Sequence, residues 1–488
     1  MSLRSRAAAG LDAALPDGWY PVWRRALGLG IPVTARNGVG QLMRTTDVVI
    51  SAALSPAAVV GLGIADLFAS LPFRAAGGVI GGAATLTSQD TGAGATGNRD
   101  EAFTQAAMLA ALLTLPFAVV GVGFGAEVLR LVGADAESAR RGAEYLLLVS
   151  LPMPLGAFAA VSSATLEATG DTRTPTYVSV PASAGNAAAS LVFGLGLLGA
   201  PRLGIVGIGA ASLVAMTARS LVLVGYTHLR GPVDFVAPRD LTIARQLVTI
   251  AAPQSAAGLV TAVAVFPFNT LVLQFGTAAN AGYQLAWRVY TQVLGPIGSG
   301  VGRGASIVVG QRLGEQAATA AEADGTASDR ADGDDAATSA SRAATALVVL
   351  GGAIALVFGG GVALAAAPIA RLLAAEPAVA SAAVPFVTVL GLAGVLGITN
   401  VVASASLDAG GETRIPLASR VVGMFGGYVG VSWGLYEFAG WGIEAAYVGQ
   451  FVCYVLMLAV TAWGLVRTDW VGRATRLLDE RGSVGSDG

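Results

Sequence analysis

LEATGDTRTP, residues Leu166 to Pro175, returns as LDAGGETRIP, residues Leu407 to Pro416. Six of the ten positions are identical, and two more exchange Glu and Asp. Each copy follows one long apolar stretch and precedes another, so the chain reads as two related halves built of membrane helices. In each copy Gly-Asp-Thr or Gly-Glu-Thr makes a tight turn, and Pro starts the next helix.

The repeat extends beyond the decapeptide. Gly78-Val79 and Gly82-Ala83 match Gly300-Val301 and Gly304-Ala305, and Gln89 and Gly92 match Gln311 and Gly314, all 222 residues apart. Gly207-Ile208 and Ala210-Ala211 match Gly442-Ile443 and Ala445-Ala446 at a spacing of 235, and the decapeptides stand 241 apart. The growth from 222 to 241 brackets residues 315–342. This stretch holds acids such as Asp329 and Asp332 among Ala, Gly, Ser and Thr, and it reads as a solvated, flexible loop inserted in the second half.

Composition sets the environment. Of 488 residues, 54% are apolar and 12% charged, about half the charge of a soluble domain, and the mean hydropathy is +0.67. The apolar runs are long enough for helices that cross the hydrocarbon, about 20 residues each, and do not alternate as barrel strands would. The 66 glycines suit close helix approach in lipid. One Cys, Cys453, and one His, His228, leave almost no material for a thiolate or histidine metal site or for a nucleophile–base pair, so no enzyme is expected. The net charge of -2 argues against a nucleic-acid partner.

Twelve spans follow, near 26–53, 57–87, 103–125, 142–165, 175–198, 204–228, 246–275, 279–309, 343–367, 379–406, 416–438 and 441–466. The expected fold is an all-α membrane protein, two six-helix lobes related by a pseudo-twofold axis along the membrane normal. Residues 1–25 form an interfacial segment anchored by Trp19, Tyr20 and Trp23, with no signal-peptide pattern. Residues 26–228 form the N-lobe, 229–245 a linker, 246–466 the C-lobe and 467–488 a cytoplasmic tail. With the N-terminus inside, eighteen Arg fall on the inner side and five outside, so both termini are expected in the cytoplasm of a cell-membrane protein.

Against these residues, the chain resembles the multidrug and toxic compound extrusion (MATE) family over about 25 to 466. Ile31-Pro32 opens the first helix, Thr46-Asp47 lies within it, Gln311 to Gly314 follows the eighth, and the decapeptides resemble the family's commonest signature. The resemblance implies two lobes around a central cavity and export of organic molecules, often cationic or lipophilic, coupled to entry of protons or sodium. It also implies a functional Asp at Asp47. In the DNA-damage-inducible protein F-like branch, to which the chain is most similar, that Asp works with a Tyr one turn earlier and with an Asn and a second Asp on the fifth helix. Here those positions are Met43, Asn186 and Ser190. The missing carboxylate weakens the case for sodium, a hard cation that prefers charged oxygens, and leaves a proton on Asp47 with Asn186 and Ser190 as hydrogen-bond partners. The sodium-linked branch's acids on helices seven and ten are also absent: Thr261 stands near the first, and 380–406 holds no acid.

Asp47 is the leading coupling residue on physical grounds as well. A carboxylate within a span costs several kcal/mol unless it is protonated or paired, which suits a residue that loads and releases a proton. Arg44, three residues earlier, offers the plainer reading of an ion pair with Asp47. In the second half the place of Asp47 falls to Asn269 or Phe268. Asp66 and Arg288, 222 residues apart, make a second constellation, a gate or a fixed pair, with Trp287 positioned to stack on a flat cation and Tyr283 as a cavity-lining candidate. Arg74 and Arg219 read as snorkelling or helix-end residues. The expected function is proton-coupled export of cationic or lipophilic organic compounds by a monomer with no cofactor or metal. The alternatives are sodium coupling and a flippase or exporter of lipid-linked or anionic substrates, which would use arginines such as Arg36, Arg44, Arg74, Arg219 and Arg288.

Overall fold

The computed structural model describes residues 15–324 and 332–485 and is helical throughout, with no strand among the described residues. The first half comprises α1 (Trp19–Leu54), α2 (Pro56–Gly92), α3 (Thr96–Gly123), α4 (Ala136–Ser150), α5 (Met153–Ala168), α6 (Arg173–Leu195) and α7 (Ile205–Arg230). The second comprises α8 (Thr242–Gln274), α9 (Thr277–Val289), α10 (Gly295–Asp324), α11 (Asp332–Leu364), α12 (Pro377–Ala409), α13 (Arg414–Val421), α14 (Ser432–Ala439), α15 (Glu444–Arg467) and a terminal α16 (Trp470–Gly485). Among the described residues, eight helices are individually long and apolar enough to cross a membrane, and α4 with α5, bent by 49° at a break containing Pro152, makes a ninth. Three further helical paths complete twelve. α1 carries Arg36, Arg44 and Asp47, which lower its hydropathy, and the paths α9–α10 and α13–α14 are interrupted by π-helical turns at Tyr290–Leu294 and Val422–Val431.

The two decapeptides fold alike. Gly170 and Gly411 take positive φ (104° and 77°), a conformation open to Gly because it lacks Cβ. Asp171 N–H bonds Leu166 C=O at 2.9 Å, and Glu412 N–H bonds Leu407 C=O at 3.0 Å. This closes the end of each helix with a six-residue turn of the kind that satisfies the last carbonyls. The following helices begin at Arg173 and Arg414, so Pro175 and Pro416 sit in the first turn rather than at the first position, still where no helical N–H is lost.

The chain forms two compact units. The N-unit is Ala35–Thr87 with Ala95–Ser255, and the C-unit is Met1–Thr34, Ser88–Gly94 and Ala256–Gly488. The divisions cut through helices α1, α2 and α8, and packing within each unit gives the reason. In the C-unit Gly300 of α10 lies against Gly30 and Thr34 of α1. In the N-unit Gly78 of α2 lies against Ala251 and Ser255 of α8. Gly300 is the repeat of Gly78, and Ala251 and Ser255 stand 221 residues after Gly30 and Thr34, so the same contact is made twice. A third pairing is reciprocal: a Cβ on Gly92 would run into the Gln311 carbonyl, and one on Gly314 into the Gln89 carbonyl.

Two expectations change here. The boundary at residue 25 moves: α1 already begins at Trp19, and Trp19 and Trp23 pack within the C-unit, where Trp23 Nε1 donates to Ala346 C=O at 2.7 Å. Residues 315–342 are not one loop, because α10 runs to Asp324 and α11 begins at Asp332, in keeping with the helix-favouring alanines there; 325–331 lie outside the described residues, as do 1–14 and 486–488. The tail beyond 467 carries α16, whose Arg481 is fully buried and holds Asp90 at 2.9 Å and Gln89 at 3.1 Å.

Candidate functional site: a polar chamber in the N-unit

Helices α1, α2, α4, α6 and α7 enclose a cavity of about 530 Å³, within the range that holds a drug-sized molecule. α1 brings Met43, Arg44 and Asp47; α2 brings Asp66, Phe73 and Arg74; α4 brings Tyr145; α6 brings Asn186; and α7 brings Ser212, Met216 and Arg219. Close approach at Gly61, where a Cβ would strike Gly142 of α4, lets α2 and α4 form one wall.

Asp47 is 5% exposed. Ser190, one turn beyond Asn186 on α6, is brought beside it. Asp47 Oδ1 and Ser190 Oγ nevertheless remain buried without a hydrogen-bond partner among the described residues. Asn186 turns elsewhere: its amide donates to Met43 Sδ at 3.0 Å and to Ser212 Oγ at 3.3 Å. The expected partnership of Asn186 with Asp47 is therefore not formed in this structure, although both line the chamber. The plain ion pair of Arg44 with Asp47 is also absent. Arg44 reaches Asp66 instead, at 3.8 Å, with both side chains about half exposed, a contact that contributes little to stability.

Arg36 pairs with the buried Glu167 of the first decapeptide, tying that turn to α1. Arg74 and Arg219 do not fit the helix-end reading. Arg74 lies midway along α2 and Arg219 eleven residues from the nearer end of α7, about 16 Å at helical rise, farther than an arginine side chain reaches.

The remaining sequence candidates lie in the C-unit. Arg288 is exposed on α9, and Trp287 stacks on Tyr290 with ring centroids 5.5 Å apart. Tyr283 is 1% exposed, its hydroxyl bonded to that of Tyr428, and it belongs to a packed core rather than to a cavity wall. The 221-residue spacing of the α1 and α8 contacts makes Phe268 the counterpart of Asp47. Phe268 is fully buried and stacks on Tyr428 with centroids 3.9 Å apart. Where the N-unit keeps an acid beside a chamber, the C-unit has an aromatic cluster.

Sequence reasoning missed Tyr145 and Ser212. The hydroxyl absent at Met43 is available from Tyr145 on a different helix, and no spacing along α1 signals it. Among the described residues no group of three or more His, Cys, Asp or Glu side chains is placed to hold a metal ion.

The family model described as MatE matches residues 32–192, which include most of the chamber wall. The chain is 28% identical over 214 residues to "Probable multidrug resistance protein YoeA" of Bacillus subtilis (strain 168), covering 42% of this chain and 45% of that protein. It is 28% identical over 298 residues to "Probable multidrug resistance protein NorM" of Bradyrhizobium diazoefficiens, covering 59% and 63%. The chain thus spans about half to somewhat under two thirds of the curated relatives it matches. Among solved structures, "Crystal structure of MATE in the straight conformation" superposes with a TM-score of 0.80 at 18% identity, covering 93% of this chain and 97% of that one. "Outward-facing conformation of a multidrug resistance MATE family transporter of the MOP superfamily" gives 0.80 at 19%, covering 91% and 96%. At such identities the structures speak for the fold, a two-lobed, multi-pass helical membrane protein. Over residues 32–192 the chain is similar to the MATE family, and its fold is that of the solved MATE structures.

Proposed function

We propose that the protein is a secondary active exporter of small organic molecules, driven by proton entry through Asp47, and that it lies in the cell membrane with both termini cytoplasmic. The observation that carries this reading is Asp47 itself, a buried carboxyl on a membrane helix, beside a drug-sized chamber and without an ionic partner among the described residues. Such a group is costly as an anion and is relieved either by a proton or by a cationic group of a bound molecule. The two exclude each other, which is the coupling that antiport requires. A proton from outside displaces the cargo, and a cytoplasmic cargo displaces the proton as the chamber changes access.

Sodium is the weaker choice of coupling ion. Of the two chamber carboxylates, Asp66 already faces Arg44, and a hard cation prefers several oxygen ligands. The kinship to two probable multidrug resistance proteins supports a broad organic cargo. The test is uptake of a fluorescent organic cation into proteoliposomes under an imposed pH gradient. Wild type accumulates it and Asp47→Asn does not. Accumulation under a sodium gradient at zero pH difference, or full activity of Asp47→Asn, overturns the proposal.

A further inference from the structure

The charges of the chamber do not balance. Five ionisable groups that determine its charge line it: Asp47, Asp66, Arg44, Arg74 and Arg219. Arg44 and Asp66 face one another. Arg36, the cation beside Arg219, is committed to Glu167 and only repels its neighbour. Arg219 Nε is buried with no hydrogen-bond partner. The chamber therefore keeps a surplus of positive charge whether or not Asp47 carries a proton. Arg219, whose buried Nε has no partner, lacks an anion that a buried guanidinium calls for, and Arg74, exposed on the chamber wall, brings a second guanidinium to the same cavity.

We propose that Arg74 and Arg219 form an anion subsite, so that the chamber selects amphoteric molecules: a cationic group faces Asp47, and a carboxylate or similar oxyanion is held by the two guanidiniums. The fork of donors on each arginine matches the two oxygens of a carboxylate. The inference rests on reading the chamber as the transport site. It also removes a difficulty in that reading, since a molecule carrying positive charge alone would enter a chamber that is already positive. Coupling is retained, because the proton competes only with the cationic end at Asp47.

The experiment compares two probes on the full chain in nanodiscs at neutral pH. Rhodamine B carries a xanthylium cation and a free carboxylate; its ethyl ester keeps the cation and loses the anion. Affinities are read by fluorescence anisotropy. Wild type is expected to prefer the free acid by about tenfold, the size of one hydrogen-bonded charge contact. Arg219→Gln and Arg74→Gln each reduce the preference, and the double variant brings the two affinities together. Asp47→Asn weakens both dyes and leaves the acid preferred. The ratio is taken within one preparation, so partial misfolding of a variant does not mimic the result. Equal or tighter binding of the ester by wild type overturns the proposal, as does an acid preference that survives loss of both arginines. Failure of Asp47 as the coupling group appears instead as undiminished proton-driven transport in Asp47→Asn, with the dye ratio unaffected.

Discussion

At the scale of residues, the informative contrast is Asp47 against Phe268. The two occupy equivalent places, yet one is an acid at a chamber wall and the other the centre of a stacked aromatic cluster. Removing the Phe268 ring should leave a void, and Phe268→Ala is expected to lower stability by about 3–5 kcal/mol, read as a fall in thermal unfolding temperature in detergent. An unchanged transition would mean the cluster is loosely packed. Asp47 was legible in the sequence because an acid inside an apolar run has few bland explanations. The bonding around it was not. Asn186 and Ser190 share a face of α6, yet Asn186 bonds Met43 and Ser212 on two other helices, while Ser190 Oγ is left without a hydrogen-bond partner among the described residues. Arg74 and Arg219 were misread as snorkelling residues because a span can be drawn from hydropathy without fixing how deep a given residue lies.

At the scale of elements, the twelve helices were legible from apolar run length, and the decapeptide turns from their Gly and Pro. The π-helical turns in the α9–α10 and α13–α14 paths were not read from the sequence, although Gly295-Pro296 follows the first and Gly423, Gly426, Gly427 and Gly430 lie within the second. Helix α16 was missed as structure because its sequence is polar, yet it buries Trp470 and Ala474 and carries one deeply placed ion pair. Arg481 and Asp90 are both fully buried. Breaking such a pair strands a charge and costs about 3–5 kcal/mol. Arg481→Met should therefore destabilise the C-unit strongly, whereas Arg481→Met combined with Asp90→Leu should recover most of the loss. Thermal unfolding of the three proteins checks this, and equal loss in the single and double variants would show that Arg481 acts through packing alone.

At the scale of the whole molecule, the internal repeat is written into the contacts as well as the sequence. Gly92 meets Gln311 and Gly314 meets Gln89 through matching positions of the two halves. Gly92→Val and Gly314→Val should thus impair folding to a similar extent, seen as comparable loss of monodisperse protein on size exclusion; a severe effect at one site with none at the other would contradict the symmetry. The two halves share these contacts and differ at one matched place, where Asp47 lines a chamber in the N-unit and Phe268 is stacked in an aromatic cluster in the C-unit. The central claim is that Asp47 exchanges a proton for cargo, and proton release on binding tests it most directly. Rhodamine B is added to the purified full chain in lightly buffered detergent solution, and the pH change is recorded alongside the amount of dye bound. Wild type is expected to release up to about one proton per bound dye, by linkage of the two ligands at one acid, and Asp47→Asn is expected to bind dye with no release. Binding by wild type without proton release, or the same release from Asp47→Asn, would contradict the account.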